Sequence, residues 1–242
     1  MRRSRIYTPQ HLLPSGSLEL EGLASHYLVR VLRLSTGDLL TLFNGDGRDY
    51  QGEVCEVQRQ RVRIRITGSE DPGNESPLKI TLVQAISRGE RMDYSLQKAT
   101  ELGVYCVQPV ISSRVEVHLD EKRQAKRMAH WQGVVISACE QSGRALVPET
   151  RIPLSLDEWL AADDGSARLV LDPQASIGLS AIDPGNDTVS ILVGPEGGFS
   201  TEEMEKVCAN GVRPVSLGPR VLRTETAGPA AISVLQIAAG DF

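Results

Sequence analysis

Residues able to bind a ligand or act on one cluster at two glycine turns near the C-terminus. Gly194, Gly197 and Gly198 form the first turn, and glycines leave backbone N–H and C=O groups uncovered, so a ligand can lie against the main chain. The second turn, at Gly218 and Pro219, is followed by a dense polar cluster: Arg220, Arg223, Thr224, Glu225 and Thr226. Two adjacent turns of this kind predict one shared ligand site.

Each turn lies between an apolar strand and a helix. The run VSILV, ending at Val193, predicts a strand buried on both faces, and Ser200 with Glu203 forms a capping box that starts a helix. The second unit repeats this order, with a strand predicted from 212 to 217 and a helix from about Thr226, because Pro229 is best tolerated in a first turn. Strand, bare turn and helix N-terminus together are typical of ligand sites in open α/β sheets.

The chain divides at a polar segment from Gly68 to Pro77, which is rich in turn formers. We predict a small antiparallel β domain over residues 1–70, a linker over 71–77 and a second domain over 78–242. In the second domain strands alternate with helices, which predicts a mostly parallel sheet covered on both faces. The fold class is therefore α/β, preceded by a small β-barrel or sheet.

The predicted last strand of the first domain alternates arginine with β-branched residues, so that one face is a row of guanidinium groups. Residues 1–67 carry ten arginines, no lysine and seven acids, a net of 10 − 7 = +3. Arginine suits phosphate through its planar, two-pronged donors. We predict an RNA-facing surface, with a solvated strand face as the alternative. The candidate RNA-binding residues here are Arg2, Arg3, Arg5, Arg30, Arg33, Arg61, Arg63 and Arg65.

Composition excludes several classes of protein. A net charge of −5 argues against blanket affinity for nucleic acid, and the sequence has no apolar run of membrane-spanning length. The four cysteines and four histidines show no ligand spacing, so we expect no metal site and reduced cysteines. The first residues have no apolar segment of the secretory type. We expect a cytoplasmic protein.

The glycine turns lack both common phosphate-binding signatures. Neither G-x-x-x-x-G-K-[ST] nor G-x-G-x-x-G is present at a strand-to-helix turn. A strongly anionic cofactor is therefore not indicated. Main-chain turns with few formal charges suit a zwitterionic or cationic ligand with an adenine ring, such as S-adenosylmethionine.

Four segments together resemble a known family: LVGPEGGFSTEE (192–203), SLGPRVLRTETA (216–227), SRGERMDYSLQKATELGV (87–104) and WQGVVISACEQSGR (131–144). They are similar to the bacterial small-subunit (16S) ribosomal RNA uridine-N3 methyltransferases, the RsmE family of the SPOUT superfamily. The segment 26–47 is similar to the family's PUA-like RNA-binding barrel. The resemblance covers essentially the full chain, although residues 145–188 carry little signature.

The resemblance implies a trefoil-knotted C-terminal domain, a homodimer, S-adenosylmethionine as cofactor, and 16S ribosomal RNA or the assembled small subunit as partner. The cofactor-binding residues that it implies are Leu171, Gly194, Pro195, Glu196, Gly197, Leu217, Gly218, Val221 and Leu222. Arg144, in the motif that ends the long helix, is a further candidate for RNA contact.

Methylation of uridine at N3 requires loss of the imide proton, so the enzyme must supply a base or stabilise the anion. Glu196 and Glu225 are the candidate bases, and Arg223 is the candidate for stabilising charge on the uracil oxygens. Structural roles are the alternative: Glu196 as a helix cap, and Arg223 with Glu225 as an ion pair.

Three rival functions stay open at this point. Methylation at pyrimidine C5 needs an attacking thiolate, and no cysteine lies in a glycine turn, which disfavours it. Transfer to a ribose 2′-hydroxyl keeps the same fold. A non-catalytic RNA-binding dimer would use the arginine-faced barrel and would not bind S-adenosylmethionine.

Overall fold

The computed structural model describes residues 4–114, 121–162, 165–185 and 187–242. The chain forms two compact units, each described below by itself. The first unit contains the described residues up to Asn74 together with Cys139–Val147, and the second contains Glu75–Ala138 and Pro148–Phe242. The division after Asn74 falls inside the predicted linker, whereas the assignment of 139–147 to the first unit was not predicted. The predicted domain boundaries themselves stay a prediction.

The first unit is built on a five-stranded sheet in the order β1-β3-β4-β5-β2. The strands are β1 (Ser4–Tyr7), β2 (Gly16–Glu21), β3 (Leu39–Phe43), β4 (Asp49–Val57) and β5 (Arg61–Glu70). Helix α1 (Gly22–His26) continues into a π-helical turn, Tyr27–Val31. The pairs β3–β4, β4–β5 and β2–β5 are antiparallel, as the sequence predicted, while β1 and β3 are parallel.

Strand β5 shows the predicted alternation. Val62, Ile64 and Ile66 are buried in the core of the first unit, and the arginines between them are half-buried or exposed. The strand continues to Glu70, which pairs with Asp49 of β4, so the first residues of the predicted boundary segment belong to the sheet. The β-ladder extends past the last apolar residue because its backbone hydrogen bonds do not depend on side-chain polarity.

The second unit is a seven-stranded sheet in which every pair is parallel, in the order β12-β10-β11-β6-β7-β8, with β9 beside β7. The strands are β6 (Lys79–Ala85), β7 (Cys106–Ile111), β8 (Glu149–Thr150), β9 (Leu154–Ser155), β10 (Ala167–Leu171), β11 (Thr188–Val193) and β12 (Arg213–Val215). The helices are α2 (Glu90–Glu101), α3 (Glu121–Ser142), α4 (Leu156–Ala161), α5 (Thr201–Ala209) and α6 (Thr224–Ala239), with a 3₁₀ turn at Leu179–Ala181.

Three neighbouring strands of this sheet end at the same edge. Strands β10, β11 and β12 run parallel and end at Leu171, Val193 and Val215. Five of the six residues of β11 are buried, as expected for a central strand covered on both faces. The loops that follow these strands therefore meet at the carboxyl edge, where ligands bind in open α/β sheets.

The start of α6 corrects the sequence prediction. The helix begins at Thr224, with Arg223 as its N-cap, so Pro229 lies inside the helix and beyond its first turn. The amides of Thr226 and Ala227 both donate to the Arg223 carbonyl at 2.9 Å, which closes the first turn upstream of the proline. Pro229 removes one backbone donor but leaves these bonds intact. Strand β12 is also shorter than the predicted 212–217.

Candidate active site

A cavity of about 380 Å³ opens at the carboxyl edge of the sheet in the second unit. It lies among the loops that follow β10, β11 and β12 and the first turn of α6. Its apolar walls come from each of these segments: Leu171, Val193, Phe199, Met204, Val215, Leu217, Val221, Leu222 and Ala227. Its charged lining residues are Arg91, Asp172, Glu196, Arg220, Arg223 and Glu225. The two glycine turns thus share one site.

The first glycine turn is closed by a backbone hydrogen bond of 2.9 Å from the Gly198 amide to the Pro195 carbonyl. Gly198 has φ +65°, in the left-handed region that favours glycine. Helix α5 then begins with the predicted capping box, in which Ser200 and Glu203 exchange side-chain to backbone hydrogen bonds. The box holds the helix N-terminus directly after the turn.

Eight of the nine predicted cofactor-binding residues line the cavity: Leu171, Gly194, Pro195, Glu196, Leu217, Gly218, Val221 and Leu222. The ninth, Gly197, is exposed, and its carbonyl accepts a hydrogen bond from Arg114. The structure therefore gathers residues from three loops around one space. That these residues bind a cofactor stays a prediction.

Four charged side chains form a cluster at the cavity. The Glu196 carboxylate accepts hydrogen bonds from Arg91 Nη1 at 2.8 Å and from the Arg88 amide at 3.1 Å. Glu225 Oε1 lies 3.9 Å from Arg91 Nε and 4.0 Å from Arg223 Nη1. The Glu225 side chain is 16% exposed and that of Arg223 is 81% exposed. The carboxylate thus lies inside the cavity and the Arg223 guanidinium at its rim.

These contacts bear on the candidate bases. Partial burial raises the pKa of the Glu196 carboxyl, but hydrogen bonds from Arg91 and from backbone amides, with the charge of Arg91, outweigh it and hold that pKa below its ordinary value. A carboxylate of lowered pKa is a weaker proton acceptor. Glu196 is therefore better suited to be a fixed negative charge than a base.

A buried hydrogen-bonded chain connects the central strand β6 to the first glycine turn. Gln84 Nε2 donates to Thr224 Oγ1 at 3.0 Å, and the Thr224 hydroxyl donates to the Gly194 carbonyl at 2.6 Å. Gln84 is fully buried and Thr224 is 6% exposed. Gly228 of α6 packs against Leu82 and Gln84, where a side chain would meet Leu82 at 3.3 Å. The chain fixes the carbonyl of the turn that lines the cavity.

Sequence reasoning missed Gln84, Arg91 and Arg114. A glutamine between the buried apolar residues Val83 and Ala85 is a signal for Gln84, since a buried amide needs partners. Arg91 lies in the quoted segment 87–104, but nothing local indicates that its side chain reaches the glycine turn. Arg114 carries no comparable signal.

The predicted guanidinium row on β5 is exposed but paired with acids of the neighbouring strands. Arg61 faces Glu19 at 3.4 Å, Arg63 faces Glu56 at 2.7 Å and Arg65 faces Glu53 at 2.6 Å. Adjacent glutamates therefore offset the positive charge of this face. Exposed pairs of this kind are weak, so the guanidinium groups stay available to other anions. RNA binding by this strand stays a prediction.

The other arginines named for RNA contact differ in position. Arg30 and Arg33 are exposed in the first unit, and Arg33 has φ +56°. Arg5 pairs with Asp49, donates to the Arg144 carbonyl at 3.1 Å and lies over the Phe43 ring. Arg144 itself is only 5% exposed. Arg5 and Arg144 are thus largely buried within the first unit, and RNA contact by these four arginines stays a prediction. Arg2 and Arg3 lie outside the described residues.

Within residues 4–114, 121–162, 165–185 and 187–242, the structure has no group of three or more His, Cys, Asp or Glu side chains placed to hold a metal ion. In the same ranges, no helix has the length and apolarity needed to cross a bilayer.

Comparison with protein families gives matches to both units. Residues 74–236 match an RNA methyltransferase domain, and residues 20–67 match an RNA methyltransferase PUA domain. The ribosomal RNA small subunit methyltransferase E of Buchnera aphidicola (from Schizaphis graminum) is 36% identical over 242 residues, covering 100% of this chain and 98% of that protein. The protein of the same name from Bacillus subtilis is 27% identical and covers 94% of this chain and 93% of that protein.

Solved structures are similar over their whole length. A methyltransferase of Legionella pneumophila, solved in complex with its cofactor SAM, has a TM-score of 0.96 and 43% identity, with 100% of each chain covered. The ribosomal RNA small subunit methyltransferase E of Neisseria gonorrhoeae, bound to S-adenosyl methionine, has a TM-score of 0.93 and 39% identity, again with 100% of each chain covered. With a methyltransferase domain over most of its length and relatives similar from end to end, the chain belongs to the ribosomal RNA small subunit methyltransferase E family.

Proposed function

We propose that this protein is an S-adenosylmethionine-dependent methyltransferase of 16S ribosomal RNA, and that the acceptor is N3 of a specific uridine. One observation carries the proposal: the two glycine turns line a single cavity with apolar walls, which also holds the carboxylates of Glu196 and Glu225 and has the exposed guanidinium of Arg223 at its rim. Family membership supports the reaction class. The choice of N3 rests on the family resemblance.

The lining of the cavity fits S-adenosylmethionine. Leu171, Leu217 and Leu222 offer apolar surface to an adenine ring, and the turns at Gly194 and Gly218 offer main-chain groups. The carboxylates of Glu196 and Glu225 suit the positively charged end of such a ligand. When bound, S-adenosylmethionine supplies an electrophilic methyl group.

The remaining chemistry belongs to the side chains of this chain. The uracil imide must lose its N3 proton before nitrogen can be methylated, since its lone pair is otherwise delocalised into the ring. Glu225, partly buried and within 4.0 Å of Arg223, is the better placed candidate base, because Glu196 is held by Arg91. Arg223 is the candidate for stabilising negative charge on the uracil oxygens.

The residues of this site also bear on the three rival functions. Transfer to a ribose 2′-hydroxyl would use the same cavity and stays an alternative outcome. Transfer to pyrimidine C5 needs a thiolate, and the four cysteines, all in the described part of the chain, are absent from the lining of the cavity. A non-catalytic RNA-binding protein would leave the carboxylates of the cavity without a ligand.

Incubation of the protein with methyl-labelled S-adenosylmethionine and small ribosomal subunits tests the function, followed by nucleoside mass spectrometry. We expect label in 3-methyluridine. Label in a 2′-O-methylnucleoside would reject the N3 assignment while keeping the enzyme class. No heat of S-adenosylmethionine binding in calorimetry, with no label transferred, would reject the enzyme. Deproteinised 16S RNA run in parallel tells whether the free RNA suffices.

We further propose that the protein is a homodimer with a knotted C-terminal domain. We also propose that it acts in the cytoplasm, where ribosomal subunits are assembled. Support for the first two is the family resemblance alone. The apolar side chain of Ile237, which is 70% exposed in the single chain, is a candidate for burial between copies. Sedimentation of the wild-type protein measures the oligomeric state.

A further inference from the structure

Arg91 is a charged residue of the cavity that the sequence did not assign to the site. It lies near the start of α2, which follows the central strand β6. Its Nη1 donates to Glu196 Oε1 at 2.8 Å, and its Nε lies 3.9 Å from Glu225 Oε1. Glu196 belongs to the first glycine turn and Glu225 to the first turn of α6. One guanidinium therefore contacts carboxylates from both halves of the site.

Exposure separates the members of this cluster. The side chain of Glu225 is 16% exposed and that of Glu196 31%, whereas Arg91 is 46% exposed. Arg91 is thus the most exposed of these three side chains. Its planar donors fix direction as well as charge, which a single ammonium group would not do.

We propose that Arg91 is a positioning residue of the methyl-transfer site, which holds the carboxylates of Glu196 and Glu225 fixed relative to each other. The proposal rests on the proposed function. It makes Glu196 a fixed negative charge whose Oε1 is already engaged, and it links the turn after β11 to the start of α6. Arg91 acts through these carboxylates and takes no part in bond making.

The charged and polar groups that face the two carboxylates give the sign of the expected pH effect. Glu196 is faced by Arg91 and the Arg88 amide, and Glu225 by Arg91 and Arg223. Removal of Arg91 takes away a hydrogen bond and a positive charge that lower the pKa of Glu196, while burial, which raises it, remains. The Glu196 pKa should therefore rise when Arg91 is removed.

Arg91→Gln tests this, with Lys98→Gln as the matched control. Lys98 lies on the same helix and pairs with Glu101, and it does not line the cavity. We expect kcat/KM for Arg91→Gln to fall about 10- to 100-fold, with partial recovery in Arg91→Lys and no change in the control.

Two further measurements test the role of Arg91. The first needs no methyl transfer, and the second separates coupling to Glu196 from a general loss of folding. Carboxyl-carbon NMR of Glu196, assigned by comparison with Glu196→Gln, should show titration at higher pH in Arg91→Gln, without any substrate present. Because Arg91 acts through its partners, Arg91→Gln should cost less in a Glu196→Gln background than alone. An unmoved Glu196 titration together with additive rate losses would overturn the proposal, and absence of activity in the wild type would instead reject the proposed function.

Discussion

The hydroxyl of Thr224 donates a 2.6 Å hydrogen bond to the carbonyl oxygen of Gly194. Because Thr224 begins α6 and Gly194 begins the first glycine turn, this bond joins the two halves of the cavity. Gln84 donates to the same hydroxyl at 3.0 Å and anchors the pair to β6. These two hydrogen bonds thus fix the orientation of the glycine turn that lines the cavity.

Thr224→Val should therefore loosen the site while preserving side-chain shape. The Gly194 carbonyl loses its side-chain donor in a partly buried position, which costs about 1–3 kcal/mol in the free energy of unfolding. Urea denaturation measures this loss, and calorimetry should show weaker S-adenosylmethionine binding. Thr226→Val, exposed in the same helical turn, is the control and should change neither. Equal free energies of unfolding for Thr224→Val and Thr226→Val would contradict a stabilising role for this hydrogen bond.

Substitutions at the turn glycines should abolish S-adenosylmethionine binding for two different reasons. At Gly194 a side chain would meet the Phe199 ring at 3.3 Å, so Gly194→Val should push that ring into the cavity. Gly218 has open space around it but φ +101°, so Gly218→Val should distort the second turn through backbone strain.

Gly211→Val controls for strain alone, since Gly211 has φ +77° and lies outside the cavity. We expect the control to lose stability and keep its affinity for S-adenosylmethionine, as measured by calorimetry. Normal affinity in both Gly194→Val and Gly218→Val would mean that the cofactor binds elsewhere.

The β5 arginines give a prediction about salt dependence. If Arg61, Arg63 and Arg65 contact phosphates, the triple alanine variant should bind RNA more weakly and with a flatter dependence of log K on log salt. Affinity for S-adenosylmethionine should not change. An unchanged slope of log K against log salt would mean that these three arginines are solvated and do not contact phosphate.

The paired glutamates provide the matched control for that experiment. Glu53 faces Arg65 at 2.6 Å and Glu56 faces Arg63 at 2.7 Å. If RNA lies on this face, replacing both glutamates with glutamine should strengthen binding, because it frees the guanidinium groups and removes repulsion of phosphate. Unchanged RNA affinity would argue that the alanine substitutions weaken RNA binding indirectly and that RNA does not lie on this face.

Arg223 gives a prediction about the chemical step. If N3 is the acceptor, the single-turnover rate should rise with pH until the bound imide ionises, and Arg223 should lower that apparent pKa by favouring the anion. Arg223→Ala should therefore lose most rate at neutral pH and recover partly at alkaline pH. Arginine stays charged across this range, so its own titration cannot imitate the trend.

The comparison that decides the role of Arg223 is the shape of the profile at saturating RNA. A variant impaired only in RNA docking loses rate evenly across pH. Arg220→Ala, a second exposed arginine that lines the cavity, is the useful companion. A parallel, vertically shifted profile for Arg223→Ala would contradict anion stabilisation.

The sequence by itself determined the features that depend on near neighbours. The capping box of Ser200 and Glu203, the buried strand that ends at Val193 and the alternation along β5 were all predicted, because each follows from residue types within a few positions. The carboxyl edge of a parallel sheet then brings the two glycine turns together. The position of the cavity was therefore predictable, while ligand binding by its residues stays a prediction.

Only the tertiary structure decided which side chains meet there. Arg91 and Glu196 are 105 positions apart, and Gln84 and Thr224 are 140 apart, so their contacts depend on strand order and helix placement that no local pattern encodes. The same holds for β5, where the register with β2 and β4 sets a glutamate beside each of the three arginines. The sequence pattern of β5 predicts a row of arginines on one face of the strand. Whether acidic residues of the neighbouring strands offset their charge depends on the register of the sheet.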